Sequence, residues 1–554
     1  MSNKRKLTDE DDDSRNVRCK TNNLDCPNEE VPELDDDPDE DEYETSSAAH
    51  VYMAFNDSTL GKDPKTLKEA MSSPEWPEWE KAVKTELATL DEMGTWELAD
   101  APDDRQPITN KWVFVRKYNK DGDLQKYKAR LVARGFSQMP GVDFNETFAP
   151  VVRLETIRAI LALAVEEDWE IQQMDVKGAY LNGDLKEEIY MKQPEGFSDG
   201  TARLCRLIKT LYGLKQSGRE WNNKLDSKLQ NIGFERLQSD PCVYIRKTNG
   251  IEIITVWVDD LLLFTKDKIQ MDNLKRELDN LFEITNLGEP SKLVGIEITR
   301  DRANGTLTIS QTKYIESILE KEKMDNANPV STPLDPNVKL EPLEPHSDAP
   351  TINGSYVSLT GSLMYAAIGT RPDIAYAVNK LCSFNNNPGM AHWSAAKRVL
   401  RYLKGTKNLG LTYKKGEPSR NRMYGYADAS FATNANMTST NGNMFILNGA
   451  AITWNSKRQW TIALSTAEAE YTSMADSAQE IIWLQNLYNE IGYSQNGPTE
   501  LFGDNQSAIG IATNLQSHKR SKHFNIKNHY LWQQIWAKQI NLSYCPTDNM
   551  TADV

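Results

Sequence analysis

Two adjacent aspartates, Asp259 and Asp260, interrupt an apolar run that we interpret as a β-hairpin over residues 251–264. Most Asp-Asp pairs belong to solvated turns, but turns usually carry glycine or asparagine beside the acids, and this one has neither. A third carboxylate, Asp175, ends a predicted strand, Ile171–Val176. Carboxylates on neighbouring strand ends can hold two Mg²⁺ ions about 3.5–4 Å apart, which activate a hydroxyl and neutralise a phosphate leaving group. A need for hard oxygen ligands explains aspartate rather than histidine or cysteine.

A second acidic set lies in the C-terminal part of the chain. Two of its aspartates follow predicted strands, Met423–Tyr426 and Leu501–Gly503. Its glutamate lies in the first turns of a predicted helix that begins at Ser465, whereas Glu468 stands at capping-box spacing from that serine and is interpreted as a helix cap. Each acid alone would be an ordinary surface residue, but together they predict a second site. Its members are Asp428, Glu470, Asp504 and Asp553.

Other patterns predict the elements that position these acids. Residues 105–135 carry nine Lys or Arg against two Asp, and two β-type runs there flank an Asp121-Gly122 turn, which predicts a basic hairpin that attracts phosphates. A Pro- and Asp-rich linker is predicted over 325–355, and a β-rich unit with an Asn448-Gly449 turn begins at Met423. Apolar residues at helical spacing predict helices over Glu78–Leu90, 157–164, 205–233, 267–283 and 393–403.

Length, charge and cysteine usage exclude several protein classes. The 554 residues suggest about three to five domains, and no stretch approaches the ~18–20 apolar residues of a membrane helix. Residues 1–50 hold 17 acidic and 6 basic residues, which accounts for −11 of the net charge of −16 and predicts a disordered tail. The six scattered cysteines fit a reducing compartment. His518, His523 and His529 do not match a zinc site, and the run 519–522 is interpreted as a phosphate contact.

Six sequence blocks resemble copia-type long-terminal-repeat retrotransposon Pol polyproteins, in the reverse transcriptase plus ribonuclease H region. The blocks are Tyr127–Gly135, Glu146–Arg153, Gln173–Gly183, Leu211–Gln216, Asp240–Cys242 and Val256–Leu263. The resemblance implies an α+β / α/β multidomain protein, with a right-hand polymerase followed by a connection region and a ribonuclease H-like domain. The implied parts are a disordered acidic tail (1–48), fingers and palm (49–265), thumb (266–335), linker and connection helices (336–420) and a C-terminally truncated ribonuclease H-like domain (421–554).

The resemblance also implies roles for matching positions in the polymerase. Asp175 and Asp259 are the implied metal ligands, and Asp260 assists with less direct coordination. Lys128 and Arg130 are implied to contact the incoming triphosphate, with a grip on template phosphates as the alternative.

Further nucleotide contacts are implied for Tyr180, Tyr212, Gly213 and Lys215. Tyr180 matches the family's gate beneath the sugar, with a plain core role as the alternative. Tyr212 and Gly213 match the segment that packs on nucleotide and template. The departures from the family pattern are Trp257, where Tyr is usual, and Gly218, where Pro is usual.

The C-terminal acids resemble the copia-type ribonuclease H through Ala427-Asp428, Thr466–Tyr471, Asp504-Asn505 and Ala552-Asp553. This implies that Asp428, Glu470, Asp504 and Asp553 bind two Mg²⁺ ions, with Mn²⁺ as a substitute, that activate water against the RNA strand of a hybrid. Two departures from the family pattern lie in this part: Asn525 stands where the family usually has an acid, and the family usually continues beyond Asp553.

We therefore expect an RNA-directed DNA polymerase that also cleaves RNA–DNA hybrids. Its expected partners are an RNA template, a DNA primer and deoxynucleoside triphosphates, without a membrane. The alternative is a catalytically weak or inactive nucleic-acid-binding protein derived from a retrotransposon. The sequence contains neither a protease Asp-Thr/Ser-Gly triplet nor a His/Cys zinc array, so we expect the C-terminal part of a polyprotein or a separate gene derived from one. The expected location is intracellular, in cytoplasmic virus-like particles, with Lys4–Lys6 as a candidate nuclear-import signal.

Overall fold

The computed structural model describes residues 63–552, apart from residues 101, 103–104, 119–122, 249, 344–352, 419, 435 and 514–525. The predicted tail over residues 1–48 lies outside this range. The helices are α1 (Leu67–Ser72), α2 (Trp76–Glu92), α3 (Leu154–Glu166), α4 (Ser217–Asn231), α5 (Lys268–Asp279), α6 (Thr312–Lys321), α7 (Asn353–Gly369), α8 (Ala375–Cys382), α9 (Met390–Gly405), α10 (Thr466–Ile491), α11 (Gln506–Thr513) and α12 (Ile526–Trp536).

The strands of the described residues form five sheets. They are β1 (Trp96–Ala99), β2 (Asn110–Tyr118), β3 (Leu124–Ala133), β4 (Glu170–Val176), β5 (Asp184–Met191), β6 (Leu204–Lys209), β7 (Glu235–Arg236), β8 (Val243–Arg246), β9 (Glu252–Trp257), β10 (Asp260–Thr265), β11 (Ile284–Gly288), β12 (Lys292–Leu293), β13 (Ile296–Asp301), β14 (Thr306–Ser310), β15 (Gly410–Lys414), β16 (Tyr424–Ser430), β17 (Thr440–Leu447), β18 (Ala450–Arg458), β19 (Thr499–Gly503) and β20 (Ile540–Tyr544).

The predicted basic hairpin is the antiparallel pair β2–β3. The register sets Lys128 opposite Val115 and Arg130 opposite Val113, so that both cations share one face of the hairpin. The other face packs against α2, where the ring of Trp79 meets that of Phe114 edge to face at 5.3 Å. The sequence prediction of helix and hairpin is confirmed, and the predicted Asp121-Gly122 turn lies outside the described residues apart from its flanks.

A six-stranded antiparallel sheet, ordered β11-β4-β10-β9-β8-β7, forms the centre of the first half of the chain. Every residue of β9 is buried, and α3 is buried at all positions except Glu155. A helix that is apolar on all sides must be covered on all sides, and α3 is covered by this sheet and by the C-terminal part of the chain. The predicted hairpin over 251–264 is therefore confirmed as β9–β10.

The predicted helix over 205–233 is wrong in its first third. Residues Leu204–Lys209 form β6, which pairs with β1 and β5, and the helix begins only at Ser217. A short apolar run fits either a strand or a buried helix, and pairing with distant strands decides it here. Gly213, with φ of 89°, turns the chain between the two elements.

The segments on both sides of the predicted linker share one sheet. Strand β14 pairs with β15, which follows the linker, and Thr306 lies opposite Lys414. Residues 325–343 contain neither helix nor strand, as the linker prediction requires for that part. Helices α6, α7, α8 and α9 pack around a core of their own. Among the described residues, none of the helices combines the length and apolarity that a membrane crossing requires.

The C-terminal part is a five-stranded sheet, ordered β18-β17-β16-β19-β20, with α10 packed on it. Strands β16, β19 and β20 run parallel, whereas β17 and β18 form the predicted hairpin. Asn448 and Gly449 both have positive φ, which matches the backbone twist of a two-residue hairpin turn. Helix α10 is capped by Ser465, as predicted. The mixed, multidomain α/β fold class inferred from the sequence is confirmed.

One hydrophobic core runs from the central sheet into this C-terminal part without a break. Arg158 of α3, only 2% exposed, crosses the junction. Its guanidinium donates to the carbonyl oxygens of Ile452 (2.6 Å) and Gly369 (3.0 Å) and lies over the ring of Trp454 at 4.1 Å. The two parts are thus joined by packing as well as by the chain.

The far end of α10 makes a second junction. The carboxylate of Glu490 accepts hydrogen bonds from the backbone N–H of Gln238 (2.8 Å) and from the hydroxyl of Ser239 (2.7 Å). The indole N–H of Trp483 donates to the carbonyl oxygen of Ser239 (2.9 Å). Helix α10 therefore grips the loop that leads into β8 of the central sheet.

Candidate active sites

The first acidic group is built around the turn between β9 and β10. Trp257 pairs with Asp260, so the turn itself consists of Val258 and Asp259. Val258 has φ of 57°, whereas Asp259 is not among the residues with positive φ. This is the pattern of a hairpin turn whose first position favours glycine. The sequence prediction put both aspartates at the tip, but the structure places Asp259 in the turn and Asp260 in the strand.

The register brings the third acid alongside. Strand β4 pairs with β10 so that Asp175 lies directly opposite Asp260. Burial and then the nearby carboxylate of Asp259 raise the pKa of Asp175. Burial also raises the pKa of Asp260 to about 6, although its Oδ1 accepts a hydrogen bond from Gln173 (3.0 Å). The three aspartates are partly buried, and their negative charges repel one another. Together they form a set of oxygen donors that suits a hard cation such as Mg²⁺.

The cationic face of the β2–β3 hairpin lies close to these acids. Burial and the neighbouring charge of Arg130 lower the pKa of Lys128 to about 8, while Asp175 acts in the opposite direction. Burial and the charge of Arg130 also lower the pKa of Lys117, which Asp259 and Asp175 partly offset. Lys117 was missed by the sequence reasoning. The two-residue period of the hairpin could have found it, because Lys117 falls on the same face as Lys128.

The predicted gate residue lies at the edge of the same site. The ring of Tyr180 meets that of Tyr212 edge to face at 5.3 Å, and Arg130 lies over the Tyr212 ring at 4.7 Å. Burial and the charge of Asp259 raise the pKa of the Tyr180 hydroxyl. The Tyr180 side chain is therefore within the electrostatic influence of the first acidic group, and it is only partly buried.

Gly213 is needed where this segment meets the hairpin. A Cβ at Gly213 would lie 2.2 Å from the carbonyl oxygen of Ala133. The backbone N–H of Ala133 donates to the carbonyl oxygen of Tyr212 (2.8 Å). Lys215 is exposed, and its Nζ lies over the ring of Phe144 at 4.4 Å.

The second acidic group is also assembled by the fold. Asp428 lies in β16, Asp504 follows the parallel neighbour β19, and Glu470 projects from the second turn of α10. One carboxylate oxygen from each of the three residues lies within 4.8 Å of the others. Three carboxylates at this spacing form an oxygen-only donor set, which again suits Mg²⁺. The Thr547 hydroxyl donates to Asp504 (2.8 Å) and helps to orient it.

The structure assigns Glu468 to the helix cap. Its backbone N–H donates to the Oγ of Ser465 (3.2 Å), and its Oε2 accepts from the backbone N–H of Leu464 (2.8 Å). Asp553 lies outside the described residues, as do His518, His523, the basic run 519–522 and Asn525. Its neighbour Ala552 is described: a Cβ at Gly442, which pairs with Asp428, would lie 3.1 Å from the Ala552 oxygen. The end of the described chain thus reaches the second acidic group.

Comparison with known proteins identifies the family to which the chain belongs. The family described as "Reverse transcriptase (RNA-dependent DNA polymerase)" matches residues 93–336. The chain is 41% identical to the retrovirus-related Pol polyprotein from transposon TNT 1-94 of Nicotiana tabacum, over 91% of this chain and 38% of that one. It is 35% identical to a putative transposon Ty5-1 protein of Saccharomyces cerevisiae, over 56% of this chain and 100% of that one. The chain belongs to the reverse transcriptase family of copia-type retrotransposon Pol polyproteins.

Other relatives extend the comparison. The Pol polyprotein from transposon RE1 of Arabidopsis thaliana is 36% identical over 89% of this chain and 33% of its own length. The chain thus spans between about a third and two fifths of the length of these two polyproteins. A solved structure of a foamy viral protease–reverse transcriptase in complex with double-stranded DNA aligns with 84% of this chain and 70% of that chain, at a TM-score of 0.43 and 11% identity.

Proposed function

We propose that this chain is an RNA-directed DNA polymerase that extends a DNA primer on an RNA template. The observation that carries the proposal is the register that sets Asp175 opposite Asp260, next to the turn with Asp259, where the charges of the β2–β3 hairpin act on the acids. Acids that hold cations, next to bases that bind phosphates, are what phosphoryl transfer requires. Membership of the reverse transcriptase family supports the same reaction.

Each side chain of the proposed site has its own role in the reaction. Asp175 and Asp259 hold two Mg²⁺ ions, or Mn²⁺ in their place, and Asp260 contributes negative charge from the adjacent strand position. Mg²⁺, when bound, lowers the pKa of the primer 3′-hydroxyl and neutralises the leaving diphosphate. Lys128 and Arg130 bind the triphosphate of the incoming deoxynucleotide. Their positive charge attracts the nucleotide and orients it toward the acids.

Tyr180 and Tyr212 complete the proposed nucleotide pocket. Tyr180 packs against the sugar and leaves no room for a 2′-hydroxyl. Tyr212, together with Gly213 and Lys215, lines the side where nucleotide and template meet. The close approach of the backbone at Gly213 to β3 keeps this wall and the cationic hairpin in one rigid unit.

Primer extension by the purified chain tests the polymerase proposal. With an RNA template, a DNA primer, deoxynucleoside triphosphates and Mg²⁺, we expect extension that Asp175→Asn abolishes. Asp184→Asn is the matched control, because Asp184 is a surface acid that pairs with Lys209 and Lys224. If the wild-type chain binds the primer–template but never extends it, the alternative of an inactive nucleic-acid-binding protein is correct.

A second activity, ribonuclease H cleavage, is favoured by a separate observation. The carboxylate oxygens of Asp428, Glu470 and Asp504 lie within 4.8 Å of one another, on elements remote from the first acids in sequence. We propose that these residues, with Asp553, hold two metal ions beside the RNA strand of an RNA–DNA hybrid. A labelled hybrid should be cleaved by the wild-type chain and not by Asp504→Asn, while Glu500→Gln, in the strand that precedes Asp504, should still cleave it. Cleavage that survives Asp504→Asn would rule out this assignment.

A further inference from the structure

The turn that carries Asp259 has a backbone conformation that its sequence disfavours. Val258 precedes the aspartate with φ of 57°. Glycine adopts this region freely, but a β-branched residue there is a genuine outlier. Such conformations persist only when surrounding contacts impose them, and they concentrate at functional sites.

Both peptide groups that flank Asp259 are fixed by hydrogen bonds. The backbone N–H of Val176, at the end of β4, donates to the carbonyl oxygen of Asp259 (2.9 Å). The indole Nε1–H of Trp221, in α4, donates to the carbonyl oxygen of Val258 (2.7 Å). Since a peptide group is planar, fixing the two carbonyls fixes the planes on either side of the Asp259 Cα and hence the direction of its side chain. Only the Trp221 anchor is a side chain.

Trp221 presents its N–H from a rigid position. The residue is 2% exposed, and its ring meets that of Phe282 edge to face at 5.2 Å. Its backbone is also close-packed, because a Cβ at Gly183 would lie 3.1 Å from the Trp221 nitrogen. The indole therefore has little freedom to follow the turn if the turn relaxes.

We infer that Trp221 is a positioning residue for Asp259: its indole N–H holds the strained turn and so aims the Asp259 carboxylate at the site shared with Asp175. This inference rests on the proposed polymerase function. Without the indole donor, Val258 relaxes toward negative φ, the peptide that follows it rotates, and the carboxylate moves. A misplacement of about 1 Å at a reacting centre can cost ~10²-fold in rate.

A double-mutant cycle between Trp221→Phe and Val258→Gly tests this role. Phenylalanine keeps an aromatic ring and loses the donor, whereas glycine accepts positive φ without strain. We expect W221F to lower kcat for primer extension by about 30- to 100-fold, with the KM for the deoxynucleotide within about threefold of wild type. In the V258G background the same change should lower kcat by less than about fivefold. Equal losses in both backgrounds would mean that Trp221 only fills the core, and the inference would be wrong.

Direct ion binding gives a readout that does not depend on turnover. In the D428N background, which weakens the second site, electron paramagnetic resonance should show Mn²⁺ binding about tenfold more weakly when W221F is added. Unchanged Mn²⁺ affinity would overturn the inference.

Trp112→Phe is the matched control, because Trp112 is also 2% exposed and its indole donates to the carbonyl oxygen of Glu195 (3.0 Å). This control should lower the melting temperature, but it should not show the pattern expected of W221F, a large fall in kcat with a nearly unchanged KM. Each variant is assayed below its own melting transition, and its circular dichroism spectrum is compared with that of the wild type to show that it is folded. A wild-type chain that extends no primer contradicts the proposed function, whereas an active chain with equal losses contradicts only the role of Trp221.

Discussion

The two acidic groups are built in different ways. The first combines an aspartate on a strained turn with two aspartates paired across antiparallel strands, Asp175 and Asp260. The second takes Asp428 and Asp504 from parallel strands and Glu470 from a helix, none of them with positive φ. The first group depends on contacts that hold an unfavourable backbone, whereas the second depends on the packing of three ordinary elements. The two should therefore respond differently to substitution.

The largest expected effect comes from removing one acid of each group in turn. Asp259→Asn should lower DNA synthesis by about three orders of magnitude or more, equivalent to ~4 kcal/mol in the barrier, because a ligand charge is lost. Hybrid cleavage should continue nearly unchanged in this variant. Asp428→Asn should have the opposite pattern. Both activities are measured on the same preparation, with Glu468→Gln as a control acid that caps a helix. Loss of both activities in a folded single variant would show that the two groups are not independent sites.

The choice between deoxyribonucleotide and ribonucleotide should depend on the first acidic group and not on the second. If Tyr180 packs against the sugar, the 2′-hydroxyl of a ribonucleotide overpacks this contact at a cost of roughly 1–3 kcal/mol. At ~1.4 kcal/mol per tenfold, this cost corresponds to a preference for deoxyribonucleotides of about 5- to 150-fold. Tyr180→Val should therefore raise ribonucleotide incorporation relative to deoxyribonucleotide by that factor. Competition between the two nucleotides during primer extension measures it. An equal fall for both sugars, with a lower melting temperature, would return Tyr180 to a core role.

A pH effect should be confined to the first group. The pKa of Lys128 is lowered to about 8, by burial first and by Arg130 second. The side chain is protonated below that pH and loses its charge as the pH rises through it, so triphosphate binding should weaken. We expect the KM for the deoxynucleotide to rise about tenfold between pH 7 and pH 9. Lys128→Arg should remove this rise, because arginine stays charged. A KM that rises equally in both proteins would assign the titration to another group.

The smallest expected effect concerns the spacing between the two groups. Glu490→Gln weakens the grip of α10 on the loop at Gln238 and Ser239 and should cost about 1–2 kcal/mol of stability. Because α10 also carries Glu470, the positions of hybrid cleavage relative to the primer end should spread. Glu480→Gln is the control, since Glu480 bonds Thr453 within the C-terminal part. It should lower stability without changing the cleavage pattern. Sharp, unchanged cleavage positions in Glu490→Gln would show that α10 does not set the spacing.

The acids of both groups could be found from the sequence because their types and positions carry the chemistry. The run around Asp259 is long and apolar, and the shorter run before Asp175 has buried apolar residues at Ile171, Met174 and Val176, so the sequence predicts both strands, and the family motifs give their order. The strand Leu204–Lys209 was not predicted, because six apolar and basic residues fit a helix equally well until distant partners are known. Lys117 was missed although the hairpin register places it beside Lys128.

The strain at Val258 has no signal in the sequence. Valine is among the residues least suited to positive φ, so local preference predicts the opposite of what the structure shows. The indole of Trp221 that holds the turn comes from 37 positions earlier in the chain. The junction through Arg158 is still more distant, since Ile452 lies 294 residues away. Such contacts follow from the assembled fold and cannot be inferred from local patterns.

The central sheet and the C-terminal part share one continuous hydrophobic core, and this continuity affects how the protein unfolds on heating. Proteins whose domains meet through small polar surfaces usually unfold in separate steps, because each domain keeps its own core. Here Arg158 donates across a junction that is closed on both sides by buried apolar residues. Neither part can lose its packing without exposing that of the other. We therefore expect the central sheet and the C-terminal part to unfold on heating in one shared calorimetric transition, whose enthalpy belongs to both parts at once.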